Sequence, residues 1–212
     1  MKTVRRLLFL VVIIATAQAL YGQTTDALLR EAGAQIEKKN WSSALDIYTK
    51  VLKQDAKNPA AYYFRAYANE KMGRYNFSRN DYEQFLRLVP FNYEGMLGLA
   101  LLNQKDKHYT EAYDMVNNII EMYPDSASAY MARAGMEEER QMMDPCIYDW
   151  GEVIRLRPDD IDNYITRAEL LIRVGRTAEA ERDLDKVVEL GVSATSLKYL
   201  YKKIKKQKKQ KK

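Results

Sequence analysis

The stretch from Pro59 to Asn92, PAAYYFRAYANEKMGRYNFSRNDYEQFLRLVPFN, recurs along most of the chain with a period of 34 residues. With Pro59 as position 1, consecutive repeats begin at Thr25, Pro59, Tyr93, Ala127 and Ile161 without an insertion or a deletion. Position 8 is always alanine and position 20 is always small: Ala32, Ala66, Ala100, Ala134 and Ala168 at the first, Ala44, Ser78, Ala112, Cys146 and Ala180 at the second. This regular spacing predicts a repeat protein.

Within one repeat, apolar residues are spaced by three and four, which is typical of amphipathic helices. In the second repeat they are Tyr62, Ala66, Tyr82, Phe85 and Leu86. Gly73 interrupts the pattern and Pro90 ends it, so each repeat is predicted to be two helices joined by a short turn and running antiparallel. Small residues at positions 8 and 20 let the two helix axes approach closely. One hairpin buries too little surface to be stable alone, so the repeats must stack into a solenoid.

Further positions share a residue type from repeat to repeat. They are glycine at position 15 (Gly73, Gly175), an aromatic at 17 (Trp41, Tyr75, Tyr109) and at 24 (Tyr48, Tyr82, Trp150), and proline at 32 (Pro90, Pro124, Pro158). Together with the period and the small residues, this pattern resembles the tetratricopeptide repeat. The resemblance implies an all-α, right-handed solenoid of five helical hairpins. Its repeats would be residues 25–58, 59–92, 93–126, 127–160 and 161–194.

The first 22 residues have a different composition. Lys2, Arg5 and Arg6 precede the apolar run Leu7–Ala17, and small residues for cleavage follow at Ala17–Ala19 and again at Gly22. This predicts a signal peptide over residues 1–22. An uncleaved anchor is the alternative, but the run is shorter than the roughly 20 residues that span a bilayer. We expect an exported protein of the periplasm or outer-membrane periphery, with secretion from the cell as the alternative.

The net charge of +5 is concentrated at the two ends of the chain. The signal segment contributes three positive charges, and residues 195–212 contribute nine lysines and no acid, which leaves the repeats at −7. The basic isoelectric point therefore does not indicate a nucleic-acid-binding domain.

Repeats 2, 4 and 5 have arginine at position 7 and aspartate at position 23, whereas repeats 1 and 3 have neither. The pairs are Arg65 with Asp81, Arg133 with Asp149, and Arg167 with Asp183. Their joint occurrence predicts an ion pair between the two helices of each hairpin, because a planar guanidinium can hold a carboxylate with two hydrogen bonds. Repetition along the array favours a structural role over a catalytic one.

The resemblance implies a concave face lined by positions 2, 5, 9, 12 and 13 of each first helix. Its predicted apolar residues are Leu29, Tyr63, Tyr67, Leu97, Leu101, Met131 and Ile165, and its predicted rim is Glu70, Lys71, Lys105, Glu138, Glu139 and Arg173. An apolar groove with a polar rim suits a docked helix or extended peptide. Alternatively, these side chains thicken the core. Arg30 is the only cation at positions 2, 5, 6 and 9 of the first three repeats, so a basic clamp for a carboxyl-terminal tail is not expected.

Residues for catalysis or metal binding are few. His108 is the only histidine and lies at a predicted turn, while Cys146, the only cysteine, occupies a small-residue position between helices. The run Glu137–Glu139 ends a predicted helix, where we expect a solvated surface rather than a cation site. No glycine-rich phosphate loop is present. We therefore predict no catalytic residue, metal or cofactor, and no enzymatic activity.

The 34-residue pattern is lost after Ala194. Leu197, Leu200, Tyr201 and Ile204 have helical spacing and predict a capping helix over residues 195–204. Residues 205–212 are expected to fray. Their lysines are Lys205, Lys206, Lys208, Lys209, Lys211 and Lys212. They are interpreted either as a solubilising tail or as a tether to an anionic surface, such as membrane phosphates, lipopolysaccharide or nucleic acid. Two functions remain open: a protein-interaction scaffold, or a surface-associated structural protein held by its tail.

Overall fold

The structure is a computed structural model, and it describes residues 24–210. Every regular element in this range is an α-helix. In chain order they are α1 (residues 24–37), α2 (Trp41–Gln54), α3 (Pro59–Lys71), α4 (Tyr75–Leu88), α5 (Tyr93–Lys105), α6 (Tyr109–Met122), α7 (Ala127–Glu139), α8 (Met143–Leu156), α9 (Ile161–Arg173), α10 (Thr177–Glu189) and α11 (Lys198–Gln210). The prediction of repeated helical pairs is confirmed. The predicted signal peptide, Lys211 and Lys212 lie outside the described residues.

The two helices of a repeat begin in different ways. The first helix of repeats 2 to 5 is capped by a side-chain oxygen that accepts a hydrogen bond from a backbone N–H. These caps are Asn58, Asn92, Ser126 and Asp160. The second helix follows a tight turn whose position-15 residue has positive φ in all five repeats: Lys39, Gly73, Lys107, Gln141 and Gly175. The backbone therefore requires the left-handed conformation there, although only two repeats supply glycine.

The contacts divide the chain into two units, an N-terminal unit up to Lys107 and a C-terminal unit from His108. In the N-terminal unit α2 packs on α3, α3 on α4 and α4 on α5, and in the C-terminal unit each helix from α6 to α11 packs on the next. All ten side chains at positions 8 and 20 are fully buried. The small residues thus lie where neighbouring helices approach most closely.

The last helix, α11, keeps the repeat register. The Tyr201 hydroxyl donates to Asp185 Oδ1 at 2.8 Å, and Gln207 Nε2 donates to the Ile172 carbonyl at 2.9 Å. These separations of 16 and 35 residues recur between repeats elsewhere, as in the hydrogen bond from Arg65 to Thr49, 16 residues apart. The helix therefore packs in the register of the first helix of a sixth repeat, although the sequence pattern is lost after Ala194.

The expectation that the chain frays beyond Ile204 is wrong for residues 205–210, which continue α11. Leu200 and Ile204 are buried, Gln207 is half-buried, and Lys208 pairs with Glu181. The extra turn is held by polar contacts that apolar spacing alone does not reveal. None of the helices in the described range has the length and hydropathy required to cross a membrane.

Candidate partner-binding groove

A cavity of about 310 Å³ lies between α1 and α3 in the N-terminal unit. We call it the groove cavity, and its lining includes Leu29, Gly33, Ile36, Tyr48, Ala60 and Phe64. Glu37 is the one charged residue among those that line it. A Cβ added to Gly33 would meet no atom within 4 Å, so the cavity is open at this point.

Phe64 forms an exposed aromatic wall of the groove cavity. Its side chain is 40% exposed and its ring stacks on Tyr48 with the centroids 5.9 Å apart. Tyr48 itself is buried, which raises the pKa of its hydroxyl to about 12. Phe64, at position 6 of its repeat, is not among the predicted groove residues, because the resemblance places only positions 2, 5, 9, 12 and 13 on the concave face. The signal that could have found it is the pair of adjacent aromatics, Tyr63 and Phe64.

Tyr63 combines groove and core roles. It is half-buried, and its ring lies 5.8 Å from the Tyr82 ring and 5.3 Å from the Phe85 ring. Burial is the main cause that raises the pKa of Tyr63 above its ordinary value. One side of the Tyr63 ring therefore packs in the core, as the alternative interpretation predicted, while the rest of the side chain stays exposed.

Two glycines on α5 let it approach these aromatic rings. A Cβ at Gly95 would lie 2.3 Å from Phe85 Cε1, and one at Gly98 would lie 2.9 Å from Tyr82 Cε1. Any side chain at either position would displace a buried ring of α4. Leu97 and Leu101, on the same helix, are half-buried.

Tyr67 is a second half-buried aromatic residue on α3. Its ring meets Trp41 edge to face with the centroids 5.8 Å apart, and Lys71 Nζ lies 4.8 Å from its ring centre. The predicted rim cation Lys71 thus lies over an aromatic face, an arrangement that favours both groups.

Most predicted rim residues pair with each other. Lys105 contacts Glu70 in the N-terminal unit, and Arg173 contacts Glu138 in the C-terminal unit. In each pair the two residues are 35 positions apart and belong to the first helices of consecutive repeats. Glu139 is exposed. These charges hold neighbouring helices together, which leaves fewer of them to meet a ligand.

The C-terminal unit contributes Met131 and Ile165, and both are half-buried. Met131 packs beside Tyr130 and Val153, and Arg157 Nη1 approaches its sulfur at 3.9 Å. Ile165 packs against the core that includes Ala168.

The three arginine–aspartate pairs lie in contact with the same geometry. Each arginine donates from Nε and Nη2 to both carboxylate oxygens of its aspartate. The distances are 2.8 and 2.7 Å for Arg65 and Asp81, 2.7 and 2.7 Å for Arg133 and Asp149, and 2.8 and 2.6 Å for Arg167 and Asp183. All three aspartates are buried, so each arginine neutralises a carboxylate inside its hairpin.

The comparisons with known proteins identify the architecture. Residues 26–58 match the family model for the tetratricopeptide repeat. A solved tetratricopeptide repeat protein from Parabacteroides merdae is 26% identical, with a TM-score of 0.65 over 85% of this chain and 71% of its own. This chain has the tetratricopeptide-repeat fold.

Two further proteins are similar to this chain, one in structure and one in sequence. YrrB, described as a tetratricopeptide repeat protein with an unusual peptide-binding site, matches with a TM-score of 0.59 and 18% identity over 82% of this chain and 91% of its own. Human sperm-associated antigen 1 is 29% identical over 115 residues, which are 54% of this chain. The match spans 12% of the length of that curated relative.

One buried acid departs from the prediction for this tetratricopeptide-repeat chain. The expected solvated surface at Glu137–Glu139 is wrong for Glu137, which is 2% exposed. Burial raises its pKa to about 6 and outweighs the hydrogen bond that the Tyr113 hydroxyl donates to Oε1 at 2.9 Å. Helical periodicity alone did not reveal this, since Glu137 lies between two helices of consecutive repeats.

Cys146 and His108 lie in different environments. Cys146 is fully buried at its small-residue position, and burial raises the pKa of its thiol to about 12. A protonated, enclosed thiol is a poor nucleophile. His108 lies exposed at the start of α6.

Proposed function

We propose that this chain is a non-catalytic protein-interaction module that binds a peptide or helix of a partner protein. The observation that carries the proposal is the groove cavity, an open apolar pocket beside an exposed aromatic ring. The tetratricopeptide-repeat fold supports it, since proteins of this fold are typically interaction modules. YrrB, whose description includes a peptide-binding site, has the same fold.

The proposed ligand inserts one apolar side chain into the groove cavity. Leu29 and Ile36 supply aliphatic contacts, while Phe64 offers a ring that is already ordered by stacking on Tyr48. An anchor side chain buried in such a pocket supplies most of the affinity in many interfaces. Tyr67 and Leu101 extend the apolar surface for neighbouring residues of the ligand.

Gly33→Leu tests the groove cavity directly. The added side chain meets nothing within 4 Å of its Cβ, so it should occupy the cavity without disturbing the fold. Gly135→Leu is the matched control, because Gly135 holds the same position 9 in repeat 4 and also has open space around its Cβ.

The measurement is selection of displayed random peptides on the immobilised protein, followed by affinity measurements on the enriched sequences. We expect peptides with one shared apolar anchor, bound at least about tenfold more weakly by Gly33→Leu and unchanged by Gly135→Leu. Enriched peptides that bind Gly33→Leu with undiminished affinity would contradict a role for the cavity.

We also propose that the protein is exported to the periplasm or the outer-membrane periphery. The basis is the sequence of residues 1–22, with its basic start and short apolar run. Amino-terminal sequencing of protein from a fractionated envelope tests this. A mature end just after Ala19 or Gly22 supports export with cleavage, and an intact Met1 on protein found only in the cytoplasmic fraction contradicts export.

A second candidate function is attachment to an anionic envelope surface through α11. The observation that favours it is that Lys205 and Lys206 lie exposed on an ordered helix whose other face is held by Leu200 and Ile204. Lysines on a fixed helix present a defined basic surface, and lipid headgroups or lipopolysaccharide phosphates carry the opposite charge.

Binding to vesicles that contain anionic lipid tests this second function. Replacing Lys205, Lys206 and Lys209 by Gln should abolish binding, and raising the salt concentration should weaken it. The control replaces three exposed lysines of the N-terminal unit, Lys50, Lys53 and Lys57. Equal loss in both variants would show a general charge effect rather than a tether.

A further inference from the structure

In two of the three arginine–aspartate pairs, the arginine donates a third hydrogen bond to a side chain of the preceding repeat. Arg65 Nη1 donates to Thr49 Oγ1 at 3.3 Å, and Arg133 Nη1 donates to Asn117 Oδ1 at 2.9 Å. In both cases the acceptor lies 16 residues earlier in the chain, at position 25 of the preceding repeat. In each of these two guanidinium groups, Nε, Nη1 and Nη2 therefore all donate a hydrogen bond.

The third pair lacks this acceptor. The residue 16 positions before Arg167 is Gly151, which has no side chain. A Cβ built at Gly151 would lie 3.4 Å from Arg167 Nη1, so this nitrogen faces the space that a side chain would fill. Asp183 fixes the guanidinium through Nε at 2.8 Å and Nη2 at 2.6 Å, so that Nη1 keeps this direction.

That space is part of a cavity of about 680 Å³ between α8 and α10, above α9. Ile147 and Leu171 give it an apolar floor and are buried. Tyr148 lines its side with a ring that is 64% exposed. The cavity lies within the C-terminal unit and shares no residue with the groove cavity.

The carboxylates that line this cavity already have arginine partners. The pairs are Asp183 with Arg167 at 2.6 Å, Glu179 with Arg176 at 2.6 Å, Asp144 with Arg176 at 3.3 Å and Glu152 with Arg155 at 2.9 Å. Arg182 also lines it and reaches only the Ala178 carbonyl at 3.4 Å. Among the arginines of the lining, Arg167 Nη1 and Arg182 therefore keep N–H donors that no lining carboxylate accepts.

We propose that this cavity binds a carboxylate attached to a small apolar group. The carboxylate accepts hydrogen bonds from Arg167 Nη1 and Arg182, in the place that Thr49 and Asn117 side chains occupy beside the other arginines. Its apolar group lies on Leu171 and against the Tyr148 ring. A monocarboxylate is favoured over a phosphate dianion, because the lining carries three arginines and four carboxylates and its excess negative charge repels a dianion more strongly.

The carboxylate can belong to the end of a peptide or to a free acid. The probes are 3-phenylpropionate for the acid and acetyl-alanyl-phenylalanine for the peptide end, with the corresponding amide of each as control. Binding is followed through the guanidinium NMR signals of the full chain. We expect both carboxylates to shift the Arg167 signal saturably and the amides to bind at least about tenfold more weakly.

The tighter carboxylate identifies the source, a peptide end or a small molecule, and both results support the site. Equal binding of acid and amide overturns the proposal, as does the lack of a saturable shift up to about 10 mM of either carboxylate.

Two variants separate this site from general charge attraction. Gly151→Asn supplies an internal acceptor like Asn117 and should reduce carboxylate binding at least about tenfold. Arg182→Gln leaves the Arg167–Asp183 pair intact and should weaken binding about threefold or more. Gly135→Asn, a change of the same type outside the cavity, should leave binding unchanged. Full binding by Gly151→Asn overturns the proposal.

Discussion

The α3–α4 and α7–α8 hairpins are built around the same arginine–aspartate pair but differ in the residue at position 11. In the first hairpin, Asn69 Nδ2 donates to Asp81 Oδ2 at 3.3 Å. In the second, Glu137 cannot donate from its ionised carboxylate. Its Oε1 lies 4.0 Å from Arg133 Nε, and its buried Oε2 accepts no hydrogen bond from any described residue.

The difference changes the charge of a buried cluster. Arg65 serves one carboxylate, whereas Arg133 lies beside two, Asp149 and Glu137. The cluster around Arg65, with the amide of Asn69, is neutral and hydrogen-bonded. The cluster around Arg133, with the acid Glu137 at the same position, has an excess negative charge. Buried charge without a matched partner is costly, so the α7–α8 hairpin should be the more sensitive to charge and pH.

The largest expected effect comes from removing the arginine. Arg133→Met should lower the free energy of unfolding by about 3 kcal/mol, because it leaves Asp149, which is 1% exposed, and Glu137 uncompensated. Arg65→Met should cost less, about 2 kcal/mol, since Asn69 still donates to the single aspartate. Urea denaturation of both variants gives the comparison.

Arg155→Met controls for loss of an exposed pair, because Arg155 and its partner Glu152 lie at the surface or half-exposed. It should leave the free energy of unfolding nearly unchanged, because exposed ion pairs contribute little. Equal losses for Arg65→Met and Arg133→Met would mean that the second carboxylate of the α7–α8 hairpin has no energetic consequence.

The next largest effect is expected from Glu137→Gln, which makes the cluster around Arg133 resemble the cluster around Arg65. Burial raises the pKa of Glu137 from 4.5 to about 6, so the folded state resists ionisation. Stability from this group is therefore greatest below pH 4.5 and is lost as the pH rises through about 6. Glu137→Gln should gain about 1–2 kcal/mol at pH 7.5 and almost nothing at pH 4.

Chemical denaturation at several pH values measures this gain. Glu138→Gln is the matched control, because Glu138 is a neighbouring acid that is 43% exposed in its pair with Arg173. It should show no comparable gain at pH 7.5. A gain for Glu137→Gln that is the same at pH 4 and pH 7.5 would contradict ionisation as the cause.

Much of the fold follows from the sequence, because the helices repeat without insertions. The alanine ladder at position 8 locates every first helix, and the joint presence of arginine and aspartate points to the contact between Arg133 and Asp149. The register of α11 was missed because Lys202 replaces the alanine of that ladder. Its contacts preserve the period where its composition does not.

The features that distinguish one site from another were harder to predict. Glu137 looks like part of an acidic surface run, and its burial depends on a neighbouring repeat. Gly151 has no distinguishing feature within its own helix. Its missing side chain matters because position 25 of one repeat lies beside position 7 of the next, where Arg167 lies. Helical periodicity describes one helix at a time, whereas these features arise between repeats.

The smallest effect sharpens the comparison at the third acceptor. Thr49→Val keeps the shape of the side chain but removes the oxygen that accepts from Arg65 Nη1, so we expect a loss of about 0.5–1 kcal/mol. Thr49 also donates to the Leu45 carbonyl at 2.8 Å, and Thr166 makes that same type of bond to Asp162 without an arginine. Thr166→Val therefore isolates the arginine bond in urea denaturation, and equal losses in both variants would show that the third acceptor contributes nothing.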